Sequence, residues 1–361
     1  MLRTILVVWL GLFLPQAVAV EYQVETVAEG LSHPWCIAFL PDGDYLVTEK
    51  SGQLRRVSAS GEVSEPLDGV PETYFAGQGG IFDVVLDPDF ASNQTIYLSF
   101  AHGTPEANGT RIVSATLDHS AITDVTPIFT VDPLKDTPVH YGGKLAFLED
   151  GTLLLTTGDG FNFREAPMDP FSLMGKTVRV NTDGTIPDDN PWADGTEAHP
   201  AVWTLGHRNP QGLIVDPTTG QVWLHEHGAQ GGDELNLLKP TANYGWPATT
   251  HGKNYSGAYV SPFKTAPGIE PPVTHWTPSI APSGMILYRG DAFPEWQGDI
   301  FVGALVDREV RRLTLSGTEI ASEEPVFSEL EARIRDVREG PDGFIYLLTD
   351  GESGKVLRVK P

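Results

Sequence analysis

A chain of 361 residues can hold two or three domains or one large all-β unit, so length leaves the domain count open. Acidic residues outnumber basic ones 48 to 24, and a net charge of −24 argues against nucleic acid or an anionic lipid surface as a partner while suiting cations. The single cysteine, Cys36, excludes an internal disulfide and a thiolate metal cluster.

Residues 1–19 have the layout of a secretory signal: Arg3 supplies the positive start, Ile5 to Leu14 a short apolar core, and Ala17-Val18-Ala19 the small-x-small cleavage pattern. The apolar run is too short for a comfortable membrane span, and no later segment could cross a bilayer. The mature chain is expected to begin near Val20 or Glu21, to have no membrane span, to work in the periplasm or outside the cell, and to form one domain over 20–361. Cys36 falls in the apolar run Trp35-Cys36-Ile37-Ala38-Phe39 and reads as an inert core residue.

From there a phrase recurs: an acid or Pro-Asp-Gly turn, an apolar strand, a polar turn and often a second strand. It occurs at Pro41-Asp42-Gly43, Asp87-Pro88-Asp89, Glu149-Asp150-Gly151, Asp216 to Gly220, Gln297-Gly298-Asp299 and Pro341-Asp342-Gly343. Asp-Gly favours tight hairpins, and a small meander cannot bury both of its faces alone. Stacking such units around an axis buries them, so the six occurrences predict an all-β, six-bladed β-propeller rather than a β-sandwich or a two-domain β-protein. The wide intervals 161–201 and 243–283 are expected to be long loops that build a site.

Several stretches along this frame could carry chemistry. Gly77-Gln78-Gly79-Gly80-Ile81 places an amide in a glycine-rich loop before a strand. His140 opens a glycine-containing segment, and the apolar strand Leu153 to Thr157 leads to Asp159 and can carry it back toward His140. A neutral imidazole held by a carboxylate is the usual apparatus for taking a proton from a hydroxyl. The plain alternative is a buried histidine and an aspartate in a turn. Between Gly206 and Gly212 stand Arg208, Asn209 and Gln211, and an arginine fork there could meet a carboxylate or a developing oxyanion, or simply buttress loop carbonyls. Glu226 to Asn236 joins glycines to acids, a composition that suits an oxygen-ligated cation, although the spacing is not that of an EF-hand. His225 and His227 fall on one face of a strand, but a third zinc ligand is not evident. Arg333 and Arg335 point to one side of a strand, toward an anionic ligand or toward surface ion pairs.

Taken together, His140 to Leu145, Gly158-Asp159, Gly206 to Gly212, His227 to Leu237, Asn243 to Pro247, Pro278 to Gly284 and Arg333 to Val337 closely resemble the soluble glucose/sorbosone dehydrogenase family, the pyrroloquinoline quinone (PQQ)-dependent aldose sugar dehydrogenases. The resemblance implies a six-bladed propeller with PQQ over its central channel. It implies that His140 is the general base, oriented by Asp159, in the oxidation of an aldose sugar at C1 to the lactone, with hydride transfer to the quinone. Gln78, Arg208, Asn209 and Gln211 then match cofactor contacts, with Arg208 also stabilising developing charge, and Arg333 and Arg335 match the pair near the quinone's carboxylates. Carbonyls at Gly228 and Ala229 match ligands of a Ca2+ ion that also touches PQQ, and Glu234 with the carbonyl of Tyr244 matches a second, structural calcium. Electrons would leave for an external acceptor, and no haem-attachment motif is present. Two positions depart from the family: Val306 stands where a lysine is common, with Arg308 nearby, and Val139 stands where some members carry aspartate. A calcium-dependent lactonase or esterase and a non-enzymatic binding propeller are the rival readings.

Overall fold

Each recurring turn joins the first two strands of one sheet. The computed structural model describes residues 20–361, so the signal sequence expected at 1–19 lies outside the described residues. Six antiparallel sheets follow one another around a common axis as a β-propeller. Their innermost strands are Pro34–Phe39, Ile81–Leu86, Gly142–Phe147, Pro210–Val215, Pro282–Leu287 and Ile334–Glu339, which open blades one to six. Blade one has three strands and the other five have four. The outermost strand of blade six is the first in the sequence: Gln23–Leu31 pairs with Gly354–Lys360 and closes the ring. Among the described residues no helix is long and apolar enough to cross a membrane.

The packing explains why the second strands carry unbroken apolar runs such as Tyr45-Leu46-Val47 and Leu153-Leu154-Leu155 rather than alternating. A blade is covered on both faces by its neighbours, so side chains of either parity are buried. Leu153 and Leu155 pack toward blade two with Ile112 and Tyr97, whereas Leu154 packs toward blade four with Leu213 and Leu224. Ile300 and Val302 join Trp223 and Leu235 of blade four, and Phe301 joins Ile334 and Leu347 of blade six. The same arrangement closes the ring, where Tyr45 and Val47 meet Tyr346 and Leu348.

The intervals 161–201 and 243–283 differ from the expected long loops. Each contains blade strands, Lys176–Val180 in the first and Thr274–Trp276 in the second. Lys176–Val180 carries Lys and Arg and follows no Asp-Gly turn, and Thr274–Trp276 is only three residues long, so neither has a clear strand pattern. Cys36 is buried and free as expected, but its neighbours are not all apolar: its Sγ lies 3.3 Å from an Arg338 nitrogen. Burial, then the charge of Asp83, pushes the thiol well up and keeps it inert. Arg338 belongs to an axial ion cluster in which Lys144 approaches Asp83 and Asp336 at 3.5 and 3.6 Å, and Arg338 approaches them at 3.1 and 2.8 Å.

His225, on the second strand of blade four, fills the space left by Gly212 on the first, where an added Cβ would lie 2.1 Å from the ring. Neither of its ring nitrogens is hydrogen-bonded among the described residues, and burial lowers its pKa from 6.5 to about 3. Above pH 6.5 the ring is neutral in both folded and unfolded chains. As pH falls below that value, the unfolded chain takes up a proton that the folded ring refuses, so stability is lost as pH drops toward 3. About 2 kcal/mol should disappear between pH 7.5 and 5 from this residue. His225→Gln is expected to flatten the dependence of the urea midpoint on pH over that range, and an unchanged slope would assign the acid sensitivity elsewhere.

Candidate active site

A β-bulge interrupts the pairing of the first two strands in every blade, between Pro34 and Cys36, Ile81 and Val84, Leu155 and Thr157, Pro210 and Gly212, Pro282 and Met285, and Ile334 and Asp336. Bulges re-aim side chains at the ends of strands. Here they mark one end of the propeller, where each first strand begins and each second strand ends. Gln78, His140, Arg208 and Arg333 precede first strands, while Lys50, Asp159, His227, Val306 and Asp350 follow second strands. His33, His140 and Ala281, all just ahead of first strands, have positive φ values of 46°, 53° and 51°. Such backbone persists in non-glycine residues where the surroundings over-determine it, commonly at functional sites.

His140 and Asp159 meet: Nδ1 lies 2.7 Å from Asp159 Oδ1. Asp159 Oδ1 also accepts the Phe161 N–H at 2.8 Å, and Oδ2 accepts the indole N–H of Trp246 at 2.7 Å. The His140 backbone N–H donates to Gln78 Oε1 at 2.8 Å. Burial lowers the His140 pKa, outweighing the hydrogen bond to Asp159, and Arg208 and Lys135 lower it further. Burial alone would raise the Asp159 carboxyl, but the bond to His140, the charge of Arg208 and the Phe161 N–H hold it below the ordinary carboxylate value. The arrangement therefore combines a neutral imidazole with an ionised carboxylate that fixes its tautomer.

Arg208 reaches the carbonyls of His227, at 3.1 Å, and Gly228, and its guanidinium lies 5.2 Å from the Trp246 ring centroid. Its backbone N–H is held by Glu226, which also accepts from His207 Nδ1 at 2.8 Å. Asn209 accepts from Gln211 at 3.3 Å and from the Gly142 N–H at 3.4 Å.

Beside this group a cavity of about 420 Å³ opens on the axis, lined by Gln78, Asn209, Gln211, Arg333 and Arg335 among the expected residues, and by Lys50 and Asp350 as well. Asp350 receives Arg333 Nε at 3.0 Å and Arg335 at 3.4 Å. Lys50 donates to the Gly77 carbonyl at 2.6 Å, and burial, then Arg335, lowers its pKa. Arg335 Nε is buried without a partner among the described residues. Val306 lines the same cavity, so the chain does place a lysine there, but from blade one rather than at position 306. Arg308 is exposed and is not part of the lining. A larger groove of about 790 Å³ lies at the other end of blades three and four, around Asp150, Thr219 and Lys239, away from this chemistry.

The remaining expected residues sit apart. Ala229 lines a neighbouring cavity of about 740 Å³ that shares His227, Ala281 and Val306 with the first. Glu234 pairs across the sheet with Glu226 and is buried, and burial followed by the Glu226 charge raises its pKa well above the usual value. Tyr244 stacks on His207 with ring centroids 4.9 Å apart. Among the described residues no three His, Cys, Asp or Glu side chains converge, so a cation in this region would need backbone carbonyls or amide oxygens besides any carboxylate.

Lys50, Asp350 and Trp246 escaped the reading of the sequence. The first two each follow a second strand directly, the position of His227 in blade four, and aligning the six repeats in register would have exposed them. Trp246 carries no such signal, since its N–H reaches Asp159 from a loop 87 residues away.

A family model described as glucose/sorbosone dehydrogenase matches residues 31–358. The aldose sugar dehydrogenase YliI of Escherichia coli (strain K12) is 42% identical over 344 residues, which cover 94% of this chain and 92% of that protein. The crystal structure of the soluble aldose sugar dehydrogenase from Escherichia coli in the apo-form is similar with a TM-score of 0.91 at 41% identity, covering 94% of this chain and 100% of that one. The PQQ-bound form of aldose sugar dehydrogenase from Streptomyces coelicolor is similar with a TM-score of 0.79 at 28% identity, over 94% of this chain and 98% of that one.

Proposed function

This chain belongs to the glucose/sorbosone dehydrogenase family, and from that premise we propose that it oxidises aldose sugars at C1 to the lactone with PQQ as its bound oxidant. The observation that carries the reading is the buried His140–Asp159 pair beside a cation-lined cavity. The cavity sets Lys50, Arg333 and Arg335 against the one carboxylate of Asp350, with amides from Gln78, Asn209 and Gln211 around them. An unpartnered guanidinium N–H on Arg335 and this excess of positive charge suit a flat ligand bearing several carboxylates. Those residues would hold PQQ, with Lys50 taking the ionic contact that Val306 cannot make.

When bound, PQQ supplies the two-electron oxidant that accepts the hydride from C1. The remaining work falls to the protein. Asp159 keeps the proton on Nδ1 of His140, which leaves Nε2 to accept the proton of the C1 hydroxyl. The carboxylate then stabilises the imidazolium that results, and the Trp246 and Phe161 N–H groups keep Asp159 in place. Arg208 is the cation available to growing negative charge on this side of the site. Calcium would lie at the carbonyls of Gly228 and Ala229, the first of which is held by Arg208 in this structure. A second ion would suit Glu234 and the carbonyl of Tyr244. The close Glu226 carboxylate and the unpartnered Asn236 Oδ1 nearby make a donor set for a hard cation. Residues 1–19 would direct export, and the electrons taken from the sugar would leave for an external acceptor.

Mixing the metal-stripped protein with PQQ and calcium, then adding glucose and a redox dye, tests this reading. Dye bleaching that depends on both additions is expected. A protein that takes up no quinone and bleaches no dye, or that instead hydrolyses lactones with calcium alone, would overturn it.

A further inference from the structure

Lys135 is 4% exposed, although lysines are rarely buried without an acid. Its hydrogen-bond partners are both neutral: Nζ donates to Asn108 Oδ1 at 2.9 Å and to the Thr137 carbonyl. The ammonium also lies 3.5 Å from the centroid of the Tyr141 ring, a cation–π contact. These partners lead directly to the catalytic pair. Tyr141 follows His140, and its hydroxyl donates to the same Asn108 oxygen at 2.6 Å. Thr137 Oγ1 donates to the carbonyl of Gly160, the residue after Asp159, at 2.6 Å, and the Gly160 N–H donates to the His140 carbonyl at 3.3 Å. Gly160 has no room for a Cβ, which would lie 2.6 Å from Lys135 Cδ. Behind the histidine a void of about 10 Å³ is lined by Lys135, His140, Tyr141 and Gly158.

We propose that Lys135 is a positioning residue for the general base: its ammonium, fixed behind His140 and Asp159, ties their backbones together and repels positive charge on the imidazole. This rests on the proposed role of His140. The charged and titratable groups that face the imidazole are Asp159 after the second strand of blade three, Arg208 before the first strand of blade four, His227 after the second strand of that blade, and Lys135 itself. Only Asp159 favours the imidazolium. Burial, against the opposing charges of Asp136 and then Asp159, takes the Lys135 pKa down to about 7, so the ammonium is present throughout the acid range in which His140 would gain its proton. Above neutrality Lys135 can lose its charge without consequence, because His140 is then neutral already.

The test follows the His140 ring by NMR in protein without cofactor, its signal assigned as the one missing from His140→Ala, together with the pH profile of kcat in the reconstituted enzyme. In Lys135→Met and Lys135→Gln the His140 midpoint and the acid limb of kcat should both move up by about 0.5 pH unit or more, and Lys135→Arg should restore wild-type values. In the wild type, the His140 resonance should also show a small second inflection near pH 7 as Lys135 deprotonates. That measurement decides the matter if the neutral variants do not fold. A His140 midpoint unmoved in both neutral variants, or no second inflection in the wild type, would overturn the proposal. Normal turnover in His140→Ala would instead remove the base assignment on which it rests.

Discussion

His140→Ala is expected to lower kcat by about 10²–10⁴ while leaving PQQ affinity within a few-fold of wild type. The ring is buried and fixed on one nitrogen by Asp159, so no other described group holds a neutral base in the same place. Its loss should act on the chemical step, because the cavity that would hold the quinone is lined by Gln78, Asn209, Gln211, Lys50 and the two arginines and not by His140. Asp159→Asn should fall in a similar range, since an amide no longer fixes the tautomer or stabilises the imidazolium. The sign with pH follows from the geometry. Burial lowers the His140 pKa below 6.5, so the neutral base is present above that value and turnover falls as pH drops through the lowered one. Steady-state kinetics and a spectroscopic titration of the quinone separate the two effects. Turnover within threefold of wild type in His140→Ala would place the base elsewhere.

Deleting Gln23–Leu31 should have the larger effect on stability. This strand supplies the outer edge of blade six and buries Ala28 and Leu31 against Ile37, Val47 and Val356. It also anchors Arg358 and Lys360 through Glu25. Those exposed ion pairs count for little individually. The two buried side chains and six paired residues together are worth on the order of 5 kcal/mol, a large part of the stability of an ordinary domain. The truncated chain should therefore either lose its cooperative thermal transition or melt about 7 °C lower, with an unpaired strand edge that promotes association. Calorimetry and light scattering report both. A melting temperature within a few degrees of the intact chain would show that the ring holds without its closing strand.

The six-bladed architecture was legible because its second strands face apolar neighbours on both sides, which left runs such as Leu153-Leu154-Leu155 after a recognisable turn. The outer strands were not, since solvent takes one side of them. Glu319–Val326 is almost wholly exposed, and Thr274–Trp276 is too short to show a period. In the site, the pairing of His140 with Asp159 followed from the span of one strand, and the two arginines followed from alternation. Lys50 and Asp350 are single charges in a chain that is 20% charged, and they acquire meaning only from their place after a second strand. For the same reason the valine at position 306 left only the nearby Arg308 as a substitute, and Arg308 lies outside the cavity lining. A reading along one strand could not see that blade one brings a lysine into the same cavity.

The closing strand also has a consequence for time. Glu25 and Lys360 are 335 residues apart, so the two strands that pair there are synthesised far apart in time. Blades one and six both contribute to the cavity, through Lys50 and through Arg333, Arg335 and Asp350. No partly synthesised chain can therefore assemble the complete site. Loop closure over such a distance is slow, and both edges stay unpaired until it happens. Binding competence should appear as the last step of folding, and refolding followed by quinone uptake should lag behind recovery of strand content.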